Sequence, residues 1–177
     1  MSNCERSVLK TERSQLTKKI VFGALFIALV YLCTAFVNIR LPIAANGGLV
    51  HLGNVPLFII ALVFGKKYGA LAGGVGMALF DITGGWLLWA PFTLAVVAYV
   101  VGAVTEKRKG LAAAIPELAL ACAIKILGYY IAEGIIYGNW IAPLASVPGN
   151  LVQIGVAVLI VLPLISRIRF AARKIAI

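Results

Sequence analysis

Apolar residues run along this chain in long blocks, and short polar clusters separate the blocks. The block most heavily marked by polar groups at its margins is residues 51–93, HLGNVPLFIIALVFGKKYGALAGGVGMALFDITGGWLLWAPFT. Before it lies a first span over about Lys18–Asn38, long enough to cross a hydrocarbon core of ~30 Å. Pro42, which has no N–H and clashes with the preceding turn, stops that helix. Residues 39–52 read as a long, glycine-containing loop. The second span, about Asn54–Phe64, is short; Asn54 is placed to cap it, and Pro56 fits its first turn. The third, about Tyr68–Asp81, is short and rich in glycine. The fourth runs over about Trp86–Thr105, and Pro91 predicts a kink or an irregular start. Spans over about Leu111–Tyr137 and Val147–Ile168 complete the set. The shortest of these would need tilted neighbours or a locally thinned bilayer.

Six spans put both termini on one side of a membrane, and the charges say which side. Of the 16 Lys and Arg, all but Arg40 and Lys125 fall before the first span, in the second–third and fourth–fifth connections, or after Ile165. The positive-inside rule places that side in the cytoplasm. The expectation is an all-α membrane protein of six transmembrane helices, multi-pass in a bacterial plasma membrane. It would carry a cytoplasmic segment 1–17, a transmembrane domain 18–172 and a tail 173–177. Residues 1–19 are polar and basic and read as a segment either helical along the surface or mobile.

Composition agrees with this picture. The chain is 62% hydrophobic and 12% charged, with a mean hydropathy of +1.02, whereas soluble domains carry roughly 25% charged residues. A net charge of +10 would suggest nucleic acid in a soluble protein. Here the basic residues sit between apolar runs, with no basic helix face, so they read as cytoplasmic anchors. Cys4, Cys33 and Cys122 are isolated and show no disulfide framework or metal spacing. With a single histidine, no metal site is expected. The first apolar run has no small-residue cleavage site after it, so it reads as a span rather than a signal peptide.

Once depth is assigned, the polar groups gather at one level. Asp81, Trp86 and Trp89 fall at the outer ends of spans three and four, and His51 and Asn54 at the outer end of span two. Tyr129, Tyr130, Glu133 and Tyr137 lie in the outer half of span five, followed by Asn139 and Trp140. Asn150 and Gln153 open span six. An outward-facing small-molecule pocket explains this concentration. An interfacial belt would account for Trp86 and Trp140 equally well, and Asp81 also reads as a helix end in contact with water. Lys125 lies near mid-depth, where an ammonium needs a counter-ion or a wet cavity. Tyr129 and Glu133 follow it at i+4 and i+8, on one helical face. That face is a candidate pocket wall; a structural pair of Lys125 with Asp81 or another buried acid is the competing reading. The candidate binding set is therefore His51, Asn54, Asp81, Trp86, Trp89, Lys125, Tyr129, Tyr130, Glu133, Asn150 and Gln153. Ala24 and Ala28 on span one, and Gly69 and Gly73 on span three, are small-xxx-small pairs that let helices approach closely in lipid.

Several chemistries are absent. No G-x-x-x-x-G-K-[ST] run appears, so the chain has no P-loop for ATP. GxSxG, HExxH and paired intramembrane aspartates are also missing, which argues against a membrane hydrolase. Uphill transport would need an ion gradient or a separate ATPase.

The run of residues 51–93 resembles the substrate-binding (S) components of energy-coupling factor (ECF) vitamin transporters. Within them it is similar to the riboflavin-type branch, which includes proteins assigned to pyridoxine or hydroxymethylpyrimidine. The strong similarity covers roughly residues 45–105; the six-span layout, basic N-terminus and length extend it to the whole chain. The resemblance implies a non-enzymatic six-helix subunit with a pocket near the outer surface, closed by the loop between spans one and two. It also implies docking of a span-one Ala-xxx-Ala face, matched by Ala24 and Ala28, onto a transmembrane coupling (T) protein. Two ABC-type ATPases would drive that partner with ATP and Mg, no cofactor being expected in this chain. The S component would topple in the membrane to deliver its ligand. Lys125 matches no motif of the family. The aromatic groups suit a flat heteroaromatic ring, and the carboxylates and amides suit its nitrogens and hydroxymethyl groups. Pyridoxine or hydroxymethylpyrimidine fits, with riboflavin or another vitamin as alternative. A stand-alone secondary transporter remains the second alternative.

Overall fold

A computed structural model describes residues 3–40, 49–104 and 111–172. The chain folds into six α-helices: α1 (Asn3–Phe36), α2 (Asn54–Phe64), α3 (Lys66–Thr83), α4 (Ala90–Val104), α5 (Leu111–Tyr137) and α6 (Val147–Ala172). A 3₁₀ turn over Ala142–Ser146 leads into α6. Strands β1 (Asn38–Arg40) and β2 (Leu49–His51) pair antiparallel, with Asn38 opposite His51.

The helices close into a ring. α3 packs on α1, α2 and α4, α4 packs on α5, α5 on α6, and α6 returns to α2. Glycines set the spacing on α3. A Cβ at Gly69 would come within 2.7 Å of the Ala61 Cβ and 2.8 Å of its Cα on α2. One at Gly73 would run into Leu57, and one at Gly76 would sit 2.9 Å from the Ile27 carbonyl of α1. The Gly69/Gly73 pair thus serves packing inside the bundle. Leu57, Phe58, Ile60, Val97, Val101, Leu118, Ile154 and Val161 form the core between the helices.

The outer surface is apolar as well. Leu25, Leu29, Tyr99, Leu127, Ile131, Ile135 and Leu159 are exposed, an arrangement that suits lipid and not water. Three stretches are long and apolar enough to cross a membrane: Glu5–Phe36, Ile115–Tyr137 and Ala142–Ala172. Asn54–Phe64 and Leu87–Ala103 are apolar but shorter.

Several boundaries differ from the sequence reading. α1 is one 34-residue helix that begins at Asn3, so the polar N-terminal segment continues the first span without a break. The expected loop 39–52 contains the short hairpin, and residues 41–48 of it lie outside the described part. Lys66 and Lys67 belong to the first turn of α3, leaving Gly65 alone between α2 and α3. Its φ of +89° is open to glycine and costly for other residues. α4 begins only at Ala90, because Pro91 belongs in a first turn, where a missing N–H costs nothing. Trp86–Trp89 form a turn ahead of it, closed by Trp89 N–H donating to the Trp86 carbonyl at 2.9 Å. Asn54 does not cap α2: Gly53 occupies that position, and no side chain caps the helix.

Gly69→Ala should cost about 1–3 kcal/mol through overpacking against α2, read as a lower melting temperature of the detergent-solubilised protein. Gly155→Ala, where nothing lies within 4 Å, should leave that temperature unchanged or raised.

Candidate functional site

The C-terminal ends of α3 and α5 and the N-terminal end of α6 lie at one end of the ring, beneath β2. α5 contributes a ladder: Lys125, Tyr129, Glu133 and Tyr137 recur every fourth residue, so their side chains share one face. From Lys125 to Glu133 the helix rises about 12 Å. Across from this ladder stand Phe80 and Asp81 of α3, Trp86 and Trp89 of the turn, and Gly149, Asn150 and Gln153 of α6. Leu49 and His51 of β2 and Ser146 of the 3₁₀ turn complete the lining of a cavity of about 110 Å³.

Each charged group in the cavity has a neutral partner. Lys125 is 5% exposed as a residue; its ammonium donates to Gln153 Oε1 at 3.0 Å, with Nζ 5.6 Å from the centre of the Tyr129 ring. Its hydrogen-bond partner is therefore an amide and not Asp81, against the buried-pair alternative. Gln153 in turn donates through Nε2 to the His51 carbonyl at 3.2 Å, linking α5, α6 and β2. Ser146 Oγ donates to Glu133 Oε2 at 2.6 Å. Thr93 Oγ1 of α4 donates to Asp81 Oδ2 at 2.5 Å and lies 3.2 Å from Tyr129 Oη.

The imidazole of His51 accepts from the Gly53 N–H through Nδ1 at 3.2 Å. Burial, reinforced by the nearby Lys125 ammonium, holds its pKa well below the usual range. At neutral pH the ring is therefore uncharged, with its proton on Nε2, where it can serve as a donor. The aromatic side is built edge to face. Trp86 and Trp89 are 5.2 Å apart, and Trp89 and Tyr137 are 5.8 Å apart, both T-shaped. Such an arrangement gives a flat ligand a rigid apolar face.

All the candidate residues except Asn54 and Tyr130 line this cavity. Tyr130 points elsewhere, its Oη donating to the Trp140 carbonyl at 2.7 Å. Asn54 is 2% exposed at the start of α2, and its Nδ2 has no hydrogen-bond partner among the described residues. The cavity also uses Leu49, Phe80, Tyr137, Ser146 and Gly149. Tyr137 was within reach of the sequence, being the next member of the i+4 series. Ser146 and Leu49 come from the 3₁₀ turn and the hairpin, which no periodicity marks. Among the described residues no group of three or more His, Cys, Asp or Glu could hold a metal ion. On α1, Ala24 and Ala28 are both exposed.

Residues 14–169 match the family of ECF-type riboflavin transporters, S component. The thiamine precursor transporter HmpT of Lactococcus lactis subsp. cremoris (strain MG1363) is 27% identical over 140 residues, covering 77% of this chain and 79% of that protein. An uncharacterized protein of Pyrococcus woesei is 31% identical over 103 residues, covering 56% of this chain and 69% of that one.

Because Gln153 joins the cavity floor to β2, Gln153→Leu should loosen the hairpin. Losing one hydrogen bond worth about 1 kcal/mol should speed amide exchange at Leu49–His51 about fivefold. Unchanged exchange there would show that the strand is held by other contacts.

Proposed function

The chain belongs to the ECF-type riboflavin transporter S-component family, and on that premise we propose that it is the vitamin-binding subunit of an ATP-driven importer. Its ligand is a single-ring heteroaromatic vitamin precursor, hydroxymethylpyrimidine first and pyridoxine second. One observation carries this reading: the cavity combines an edge-to-face aromatic wall with two carboxylates and an ammonium, each already oriented by a neutral partner. Such groups offer acceptors to an aminopyrimidine's N–H bonds and donors to its hydroxymethyl oxygen. The similarity to a thiamine precursor transporter supports the same ligand, since hydroxymethylpyrimidine is the pyrimidine half of thiamine. Riboflavin, named in the matched family's description, is the second reading.

The subunit spans the membrane six times with both termini in the cytoplasm. Two facts support this topology. Lys66 and Lys67 open α3 at the end away from the cavity. Arg169, near the end of α6, donates to the Leu62 carbonyl in the last turn of α2 at 3.4 Å, also away from the cavity. Basic residues thus mark one end of the bundle and the cavity the other, as the positive-inside rule requires of an outward-facing site. ATP hydrolysis belongs to two partner ATPases, reached through a T protein that docks on Ala24 and Ala28. The exposure of both alanines on α1 leaves that face open for a close helix–helix contact.

Mass spectrometry of small molecules retained by the purified subunit tests the ligand directly: a hydroxymethylpyrimidine mass is expected, and a flavin mass would favour the second reading. With hydroxymethylpyrimidine as probe, Glu133→Gln should weaken binding about tenfold, the scale of a lost charge-assisted hydrogen bond, with expression intact. Quenching of Trp86 and Trp89 fluorescence would report it. Ala24→Trp and Ala28→Trp should leave binding unchanged yet abolish uptake in cells that contain the partner subunits. Normal uptake by both would remove α1 as the docking face. Sustained ion-coupled uptake by the chain alone in proteoliposomes would instead identify a secondary transporter.

A further inference from the structure

Thr93 does not line the cavity, yet it holds one of the carboxylates that do. It is 1% exposed in the first turn of α4, where its N–H donates to the Trp89 carbonyl at 2.8 Å. Its hydroxyl has one proton, and that proton goes to Asp81 Oδ2. The 3.2 Å contact with Tyr129 Oη must then run the other way, with tyrosine donating and threonine accepting. The result is an ordered chain from α5 through α4 to α3: Tyr129 to Thr93 to Asp81. It occupies Oδ2 and fixes the plane of the carboxylate, while Oδ1 has no hydrogen bond among the described residues.

We propose that Thr93 is a positioning residue of the ligand site, orienting Asp81 so that Oδ1 accepts a hydrogen bond from an N–H of the ligand. For the ligand proposed above, that N–H is the exocyclic amine of the aminopyrimidine, and to that extent the inference rests on the preceding reading. The other charged cavity groups have equivalent partners, Ser146 for Glu133 and Gln153 for Lys125. Both of those partners touch the cavity themselves. Thr93 is the partner that can be changed without altering any surface the ligand meets. Thr93→Val keeps the shape and removes the hydroxyl; Thr93→Ser keeps the hydroxyl and removes a methyl group.

The test uses the full chain in lipid nanodiscs, with circular dichroism confirming the helical fold of each variant. Two probes are titrated by tryptophan fluorescence, hydroxymethylpyrimidine and its analogue with hydrogen in place of the amine. Thr93→Val should weaken the amine probe about tenfold and leave the analogue nearly unaffected, as expected for loss of an oriented charge-assisted hydrogen bond. Thr93→Ser should restore wild-type affinity for the amine. Wild-type affinity in Thr93→Val overturns the proposal, as does a Thr93→Ser variant as weak as Thr93→Val, which would mean that packing alone matters. If the wild-type chain binds neither probe, the ligand reading fails, and infrared spectra of the ligand-free protein decide the positioning role. There the carboxylate band missing from Asp81→Asn should shift in Thr93→Val and return in Thr93→Ser; an unmoved band overturns it.

Discussion

Lipid gives helices no hydrophobic reason to associate, so this bundle depends on the contact that its glycines permit along α3. Gly69, Gly73 and Gly76 each leave room that a methyl group would fill, against α2 at two positions and α1 at the third. The closeness seats α3 against the 11-residue α2, whose Leu57, Phe58 and Ile60 belong to the core and which also packs on α6. It also sets where the C-terminal end of α3 comes to rest. Asp81 reaches Thr93 and the cavity because the turns below it are locked against two neighbours.

The second constraint is electrostatic. Buried charges in an apolar bundle must be paired or hydrogen-bonded, and here the charged cavity groups use neutral partners in place of one another. Had Lys125 met Asp81 or Glu133 directly, the charges would have satisfied each other and left little for a ligand. Amide and hydroxyl partners orient each charge without cancelling it. The cavity therefore keeps its amine and its acids apart, with Lys125 and Glu133 at different heights along α5.

Much of this was legible in the sequence because lipid imposes simple rules. The starts of α2, α5 and α6 fall where the sequence pattern puts them, whereas α1 starts 15 residues earlier and Pro42 lies outside the described residues; the i+4 spacing of Lys125, Tyr129 and Glu133 placed three groups on one wall. The same spacing explains why Tyr130 lies off this wall: five residues from Lys125 is about 140° around the helix from that face. Asn54 looked like a cap because an Asn before an apolar run usually is one. With Gly53 in that position, the asparagine falls one residue inside the helix. The hairpin was invisible, since three-residue strands carry no alternation. Thr93 and Ser146 were missed for a related reason: their importance comes from partners 12 and 13 residues away, across turns whose geometry the sequence does not state.

At 34 residues α1 is a rod about 51 Å long, against a hydrocarbon core of ~30 Å. Its length exceeds that thickness by about 20 Å, and no break interrupts it. The C-terminal part of α1 packs on α3 and meets both strands of the hairpin. One continuous helix thus joins the N-terminal turns to the hairpin that lines the cavity.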